Sequence, residues 1–503
     1  MGLMIFFILA VMEIGLAIWT CTKGKESRGF RKQRLIVRTA QVAIVVGAML
    51  LPFGQKWRFA PLLGFLVVLL IIALLIMLLS RDRKDGIRKP LRSVVSCVLC
   101  ILVFGMLLVP AFLFTGYKGL PVSGKYRIGE SSAILIDRSR TDPFEQDGSF
   151  REVPVHFYYP QILPDGTSKD EKQSDGASSD ERQSDGMPTY EKQSDGKTSD
   201  EKQSDETLSV EKHSDEEQRF PLVIFSHGAF GYYQSNTSTY MELASNGYVV
   251  VSLDHPHHAF FTKDTDGRIV MVDKDFLNTA MHLSEKDDLQ ECYSIYTEWM
   301  ALRTADMNFV LDQLKAAGES GALNGDWFLN DNDSELIPSV LRMTDFSRTG
   351  LMGHSMGGAT AVELGRERND VSAVVDIDGT MLGEYLGVEN GDYLFNEEPY
   401  AVPVLEFNNW ESYTDLKDYL EQGGSYPNDK LISNAATGFT TTIRGTKHMD
   451  YTDLPLLSPI LGKMLGSGER STEETMTIVN SLVLSFFNSY LKGEGVFTVQ
   501  EIY

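Results

Sequence analysis

Three residue types in one order could do nucleophilic chemistry in this chain: a serine, then an acid, then a histidine. Ser355 lies in Gly353-His354-Ser355-Met356-Gly357-Gly358. This Gly-x-Ser-x-Gly pattern is that of a nucleophile elbow, a sharp strand-to-helix turn that lifts a serine hydroxyl above a parallel sheet. The serine sits in a strained backbone conformation there, so its neighbours two residues away must be small. The helix that follows offers free N–H groups and a positive dipole end to an anion forming above the serine. A serine hydroxyl needs a base, and the base an orienting acid. His448 is the one histidine after the elbow, in Arg444-Gly445-Thr446-Lys447-His448. Asp378 and Asp376 both end the apolar strand after the elbow. Asp378, beside Gly379 and nearer the turn, is the preferred acid. Asp376 shares its strand face and is the alternative, with Glu406, Asp415 and Asp450 behind it.

The tetrahedral oxyanion of acyl transfer needs two aimed N–H donors. One is expected from Met356, after the nucleophile. The other is expected from the turn after Phe225-Ser226-His227-Gly228, at Ala229 or, failing that, Phe230. His227, Gly228, Phe230 and His255 are expected to line the substrate pocket, and Phe260, Phe261 and the segment 262–272 to extend it as a flap. Asp254-His255-Pro256-His257-His258 has the residue types of a zinc site, but the proline breaks regular spacing. No metal and no organic cofactor is expected.

The elements that must position these groups alternate. Apolar runs at 221–226, 248–254, 349–352, 371–378, 402–407 and 438–443 read as strands, separated by helical stretches at 236–245 and 293–314. That alternation predicts a mostly parallel sheet flanked by helices, with the site at the strands' carboxyl ends. Residues 126–129, 133–137 and 152–159 read as an antiparallel entry to it. Residues 166–218 carry a ten-residue repeat, Glu-Lys/Arg-Gln-Ser-Asp, nearly devoid of apolar side chains. Such a tract cannot bury enough surface to fold, and is expected to be a disordered insert between two strands.

The first 116 residues differ again. Four apolar runs, roughly 2–20, 36–52, 60–80 and 94–115, approach the length of about 20 residues that spans a bilayer. Basic residues crowd the stretches 23–34 and 81–92, so the positive-inside rule places both in the cytoplasm and the catalytic body outside the cell. Glu13 within the first run is expected at a helix–helix contact or an interface. Residues 1–116 carry a formal charge of +11 and the remainder −34. An acidic body argues against a nucleic-acid partner. Cys97 and Cys100 are read as packing residues, and Cys292 stands alone. The expected partition is thus 1–116 transmembrane, 117–165 entry strands, 166–218 insert and 219–503 catalytic body. The oligomeric state is left open.

The motifs Phe225-Ser226-His227-Gly228, Leu243-Ala244-Ser245-Asn246-Gly247-Tyr248, Asp254-His255, Gly353-His354-Ser355-Met356-Gly357-Gly358-Ala359-Thr360 and Arg444-Gly445-Thr446-Lys447-His448 together resemble the platelet-activating factor acetylhydrolase (isoform II) family of α/β-hydrolases. The resemblance covers roughly residues 120–495 apart from the insert. It implies an α/β-hydrolase fold, a triad acid at Asp378 and an oxyanion N–H at Ala229. It also implies hydrolysis of short or oxidised acyl chains of phospholipids, or of other carboxylic esters. The apolar front and the repeat depart from the family's pattern. The expected activity is a membrane-anchored serine esterase. An acyltransferase or peptidase with the same triad, or a non-catalytic binding domain, is the alternative.

Overall fold

The computed structural model describes residues 2–23, 27–50, 56–79, 90–114, 119–161, 218–330 and 333–503. The basic stretch 81–89 and the decapeptide repeat lie outside the described residues. Among the described residues the chain opens with the helices α1 (Gly2–Lys23), α2 (Ser27–Met49), α3 (Ala60–Leu79) and α4 (Pro90–Leu107), followed by a short one at Val109–Leu113. Ile5, Leu9, Val45, Leu62, Leu66 and Phe104 form their common core. Leu3, Phe7, Val11, Ile71, Leu78 and Leu102 face outward. Two of the four expected spans, Gly2–Cys21 and Lys56–Leu79, are long and apolar enough to cross a membrane. Leu91–Leu107 is apolar but shorter, and α2 carries arginines and a lysine through its first half. Glu13 lies at a helix–helix contact: its carboxylate is ion-paired with Arg38 of α2 and accepts from Gln41 Nε2 at 2.8 Å. The four cysteines are free thiols, Cys97 and Cys292 buried.

The body is built on nine strands: β1 (Arg127–Thr141), β2 (Phe150–Gln161), β3 (Phe220–Ser226), β4 (Val249–Leu253), β5 (Trp327–Leu329), β6 (Thr344–His354), β7 (Ala373–Ile377), β8 (Val404–Asn409) and β9 (Gly438–Ile443). Their order is β9-β8-β7-β6-β3-β4-β2-β1-β5. The six strands from β9 to β4 run parallel; β2, β1 and β5 continue antiparallel. The two short strands expected at 126–129 and 133–137 are one long strand, because β2 pairs with it from Arg127 to Asp137 without interruption. The antiparallel entry therefore forms as expected, and the break between β2 and β3 is where the repeat lies.

All seven residues of β3 and all five of β4 and β7 are buried. That is the mark of parallel strands covered on both faces. On one face Met307, Val310, Leu311 and Leu314 of the helix Leu289–Ser320 pack with Ala361 and Val362 of the helix Met356–Glu367. On the other, Tyr240 and Leu243 of Thr237–Ser245 pack with Val479, Val483 and Phe486 of Thr472–Phe487. This three-layer arrangement is an α/β-hydrolase fold. The flap region forms a hairpin, Phe261–Lys263 with Ile269–Met271, whose outer face exposes Phe260, Ile269 and Met271.

Candidate active site

The turn after β6 is forced by close packing. A Cβ on Gly353 would fall 2.1 Å from the Gly357 carbonyl carbon, and one on Gly357 would fall 2.0 Å from the Ser226 carbonyl oxygen. Only glycines let strand and helix approach that closely. Ser355 between them has φ 54° and ψ −128°, held by its N–H donating to Ile377 O at 2.9 Å. A non-glycine residue at positive φ costs roughly 1–3 kcal/mol and persists only where its surroundings over-determine it. Five such residues occur among those described: Phe230, His257, Ser355, Asp378 and Asn390. The first four lie on the loops that converge on the strands' carboxyl ends, and the strain concentrates there.

Asp378 leaves β7 at φ 60°, and its N–H donates to Phe407 O of β8 at 2.8 Å. That turn swings its carboxylate up to His448, whose Nδ1 lies 2.6 Å from Oδ2. The backbone N–H of Asn409 donates to Oδ1 at 2.6 Å, and Asn409 Nδ2 donates to Oδ2 at 2.9 Å. Burial pushes the Asp378 carboxyl up, but the His448 hydrogen bond, the His448 charge and Asn409 outweigh it and hold it below the usual range. Burial likewise pulls His448 down, while the Asp378 hydrogen bond and charge lift it to a net value above its ordinary 6.5. A base of this kind must be neutral to accept a proton, so the acid limb of a pH–rate profile is expected above pH 6.5. Initial rates from pH 5 to 9 would test this; a limb centred below 6 would contradict it.

His448 follows β9 in a short turn shaped by Asp450. Asp450 Oδ2 accepts from Lys447 N at 2.9 Å and from Gly468 N at 2.6 Å. Almost half of the His448 side chain is exposed, against 4 % for Asp378. The imidazole thus presents an open edge with its rear nitrogen anchored. Its ring packs on His354, centroids 4.6 Å apart. No hydrogen bond joins the Ser355 hydroxyl to His448.

The other candidate acids go elsewhere. Asp376 is fully buried, and its Oδ1 accepts from Gly379 N at 3.1 Å. Burial, then Glu406 and Asp378, drive its carboxyl well above the usual range. Glu406 is buried beside it and accepts from Asn428 and Thr440. Asp415 is exposed on the helix Trp410–Glu421, and Asp450 is committed to its turn.

Met356 is the first residue of its helix, so its N–H has no intrahelical acceptor. Phe230 N–H donates to His258 O at 3.1 Å, so of the two expected loop donors that one is already engaged. A Cβ on Gly228 would lie 3.1 Å from Ser355 Cβ, so the loop passes close to Ser355. Beside it stands an apolar wall of Phe276, Trp299, Met300 and Met356, with Ala229 and Phe230 half-buried against it.

His227 and His255, expected to line the pocket, have no exposed surface. Both rings are consumed by buried hydrogen bonds beneath the loop, while Gly228 is the loop residue next to the serine. The histidines of 255–258 also diverge. His258 stacks on Phe276 with centroids 3.7 Å apart, and His257 on Phe144 at 4.6 Å. Two residues at the site escaped sequence reasoning. Asn409 could have been found only from its place at a strand end, and Arg303 reads in sequence as one more helix residue.

The family model for platelet-activating factor acetylhydrolase, isoform II, matches residues 121–498. A platelet-activating factor acetylhydrolase of Cavia porcellus is 22 % identical over 54 % of this chain and 58 % of its own length. One of Gallus gallus is 25 % identical over 54 % of this chain and 63 % of its own. The matches thus span about three-fifths of those relatives. A ferulic acid esterase from Streptomyces cinnamoneus is 20 % identical with a TM-score of 0.47, covering 75 % of this chain and 93 % of that one. With a family model matched over most of its length, and through the elbow, the Asp378 turn and the His448 loop, the chain belongs to the platelet-activating factor acetylhydrolase, isoform II, family.

Proposed function

We propose that this protein is a serine esterase that cleaves carboxylic esters, short-acyl and phospholipid-type esters among them, with Ser355, His448 and Asp378 as its triad. The observation that carries the reading is the 2.6 Å His448–Asp378 hydrogen bond at the same strand ends as a serine held at φ 54°. His448 Nε2 takes the Ser355 proton as Oγ attacks the ester carbonyl. The oxyanion is met by the N–H groups of Met356 and Ala229. Asp378 holds the imidazole tautomer and stabilises the imidazolium. The alcohol leaves with the proton from His448, and the acyl group stays on Ser355. His448 then deprotonates a water that attacks the acyl-enzyme, and Ser355 recovers its proton as the acid is released.

The apolar wall by Ala229 suits an acyl chain, and its bulk favours a short one. The relatives' names, acetylhydrolases of platelet-activating factor, agree with a short acyl group. In the same proposal residues 1–116 anchor the protein as a multi-pass membrane region, 117–165 and 219–503 form the catalytic body outside the cell, and 166–218 is an insert. The bilayer then supplies the lipid ester and holds the site near it.

The test is hydrolysis of p-nitrophenyl acetate, butyrate and octanoate by the full chain in detergent, with fluorophosphonate labelling alongside. Acetate and butyrate are expected to outpace octanoate, with one label per chain. Folded protein that turns over none of the three and takes no label would sink the esterase reading.

A further inference from the structure

Beneath the oxyanion loop lies a buried polar array that the triad does not use. The Ser226 hydroxyl donates to His255 Nε2 at 2.9 Å, and His255 Nδ1 donates to Asp306 Oδ2 at 3.0 Å. Asp306 also receives Arg151 Nη2 at 2.8 Å and Arg140 Nη2 at 2.9 Å. Ser226, His255, Asp306 and Arg151 have no exposed surface. The order Ser–His–Asp is that of a triad, but no substrate can reach it. Burying so many polar groups is worth its desolvation cost only when each is satisfied, so the array is built to hold something in place.

What it holds is one peptide plane. The backbone N–H of His255 donates to His227 Nε2 at 3.1 Å. His227 Nε2 must therefore be unprotonated, and Nδ1 carries the hydrogen. That Nδ1–H donates to Gly228 O at 2.6 Å. Arg303, from the helix Leu289–Ser320, donates through Nη1 to His227 O at 2.6 Å and through Nη2 to Gly228 O at 3.3 Å. Gly231 N–H adds a third donor to Gly228 O at 3.0 Å. The Gly228 carbonyl and the Ala229 N–H belong to the same planar trans peptide and point in opposite directions. Anchoring the carbonyl downward into the array therefore aims the N–H upward, over Ser355.

We infer that His227 and Arg303 are positioning residues for the oxyanion hole: by holding the Gly228 carbonyl they fix the direction of the Ala229 N–H, with His255 and Asp306 setting the His227 tautomer from behind. The inference rests on the esterase reading above. Donors aimed at the developing oxyanion act in the transition state, so loss of aim lowers kcat and leaves KM in place.

Glutamine and asparagine divide the two ring nitrogens of His227. His227→Gln keeps a group near Nε2 and removes the donor to Gly228 O, while His227→Asn keeps an amide N–H near Nδ1. In the full-length protein, His227→Gln is expected to lower kcat by about 10–100-fold with KM within about twofold. Affinity for an alkyl boronic acid, whose tetrahedral adduct places an oxygen in the hole, should fall in parallel. His227→Asn should recover most of both. Arg303→Met, which fills the volume without donors, should act in the same direction as His227→Gln, and thermal unfolding identifies any variant that has not folded. Active wild-type protein whose folded His227→Gln and Arg303→Met variants keep kcat within twofold overturns the inference alone. So does equal loss in Gln and Asn with a raised KM. Wild-type protein that neither hydrolyses ester nor takes fluorophosphonate overturns the esterase reading and the inference with it.

Discussion

Full-length protein carrying Ser355→Ala is expected to lose about 10⁶-fold in kcat toward p-nitrophenyl acetate and to take no fluorophosphonate, as when a nucleophile is removed from a triad that acts as a unit. The size of the loss follows from the lack of a substitute. Ser226, a second serine with a histidine and an aspartate in line behind it, has no accessible surface. Its carbonyl oxygen also sits where a Cβ on Gly357 would be, so it is packed under the elbow rather than beside a cleft. Alanine at 355 keeps the same Cβ, so the strained turn and the hydrophobic layers beneath it should persist and the melting temperature should barely move. Initial rates and gel fluorescence report the two expectations separately. A variant that keeps a tenth of the wild-type rate would place the nucleophile elsewhere.

The parts of this site that could be read from sequence are those set by local geometry. Gly353, Ser355 and Gly357 announce themselves because strand and helix must nearly touch there, and that requirement is written in adjacent residues. His448 stood out because no other histidine follows the elbow. The parallel core was visible as continuous apolar runs such as Val249–Leu253, since strands covered on both faces need no alternation. What could not be read depends on partners far along the chain. Asp376 and Asp378 share a strand face by the two-residue period; which one meets His448 is set by the φ 60° turn at Asp378 and by Asn409, 31 residues away. Arg303 lies on a helix that begins more than sixty residues past the loop it holds. His255 looks like a pocket residue in Asp-His-Pro-His-His, and only the position of Asp306, 51 residues on, turns its ring inward. The single strand over Arg127–Thr141 reads as two in sequence because polar Ser131 and Ser132 interrupt its apolar face, and pairing with β2 bridges them.

Asp378→Asn and Asp376→Asn should part company sharply, although the two positions are two residues apart and both side chains are buried. Asp378 is held ionised by His448 and Asn409, so the amide removes a charge and the acceptor for His448 Nδ1–H. The amide NH₂ in its place favours the wrong imidazole tautomer, and kcat is expected to fall by about 10⁴-fold. What activity survives should show its acid limb at lower pH, because the carboxylate that lifts His448 is gone. Asp376 sits at the opposite limit. With burial acting first and Glu406 and Asp378 beside it, its carboxyl is driven well above the usual range. Asparagine there has the same shape, removes a carboxyl whose charge its surroundings disfavour, and keeps the acceptor for Gly379 N–H, so kcat should change by less than about fivefold. Any cost should appear in stability, about 1 kcal/mol for a rearranged buried hydrogen bond. Two carboxyls whose surroundings push their protonation in opposite directions are how a site separates a working acid from a structural one. Comparable losses of kcat in both variants, with both folded, would mean that Asp376 takes part in the chemistry and that Asp378 is not the sole orienting acid.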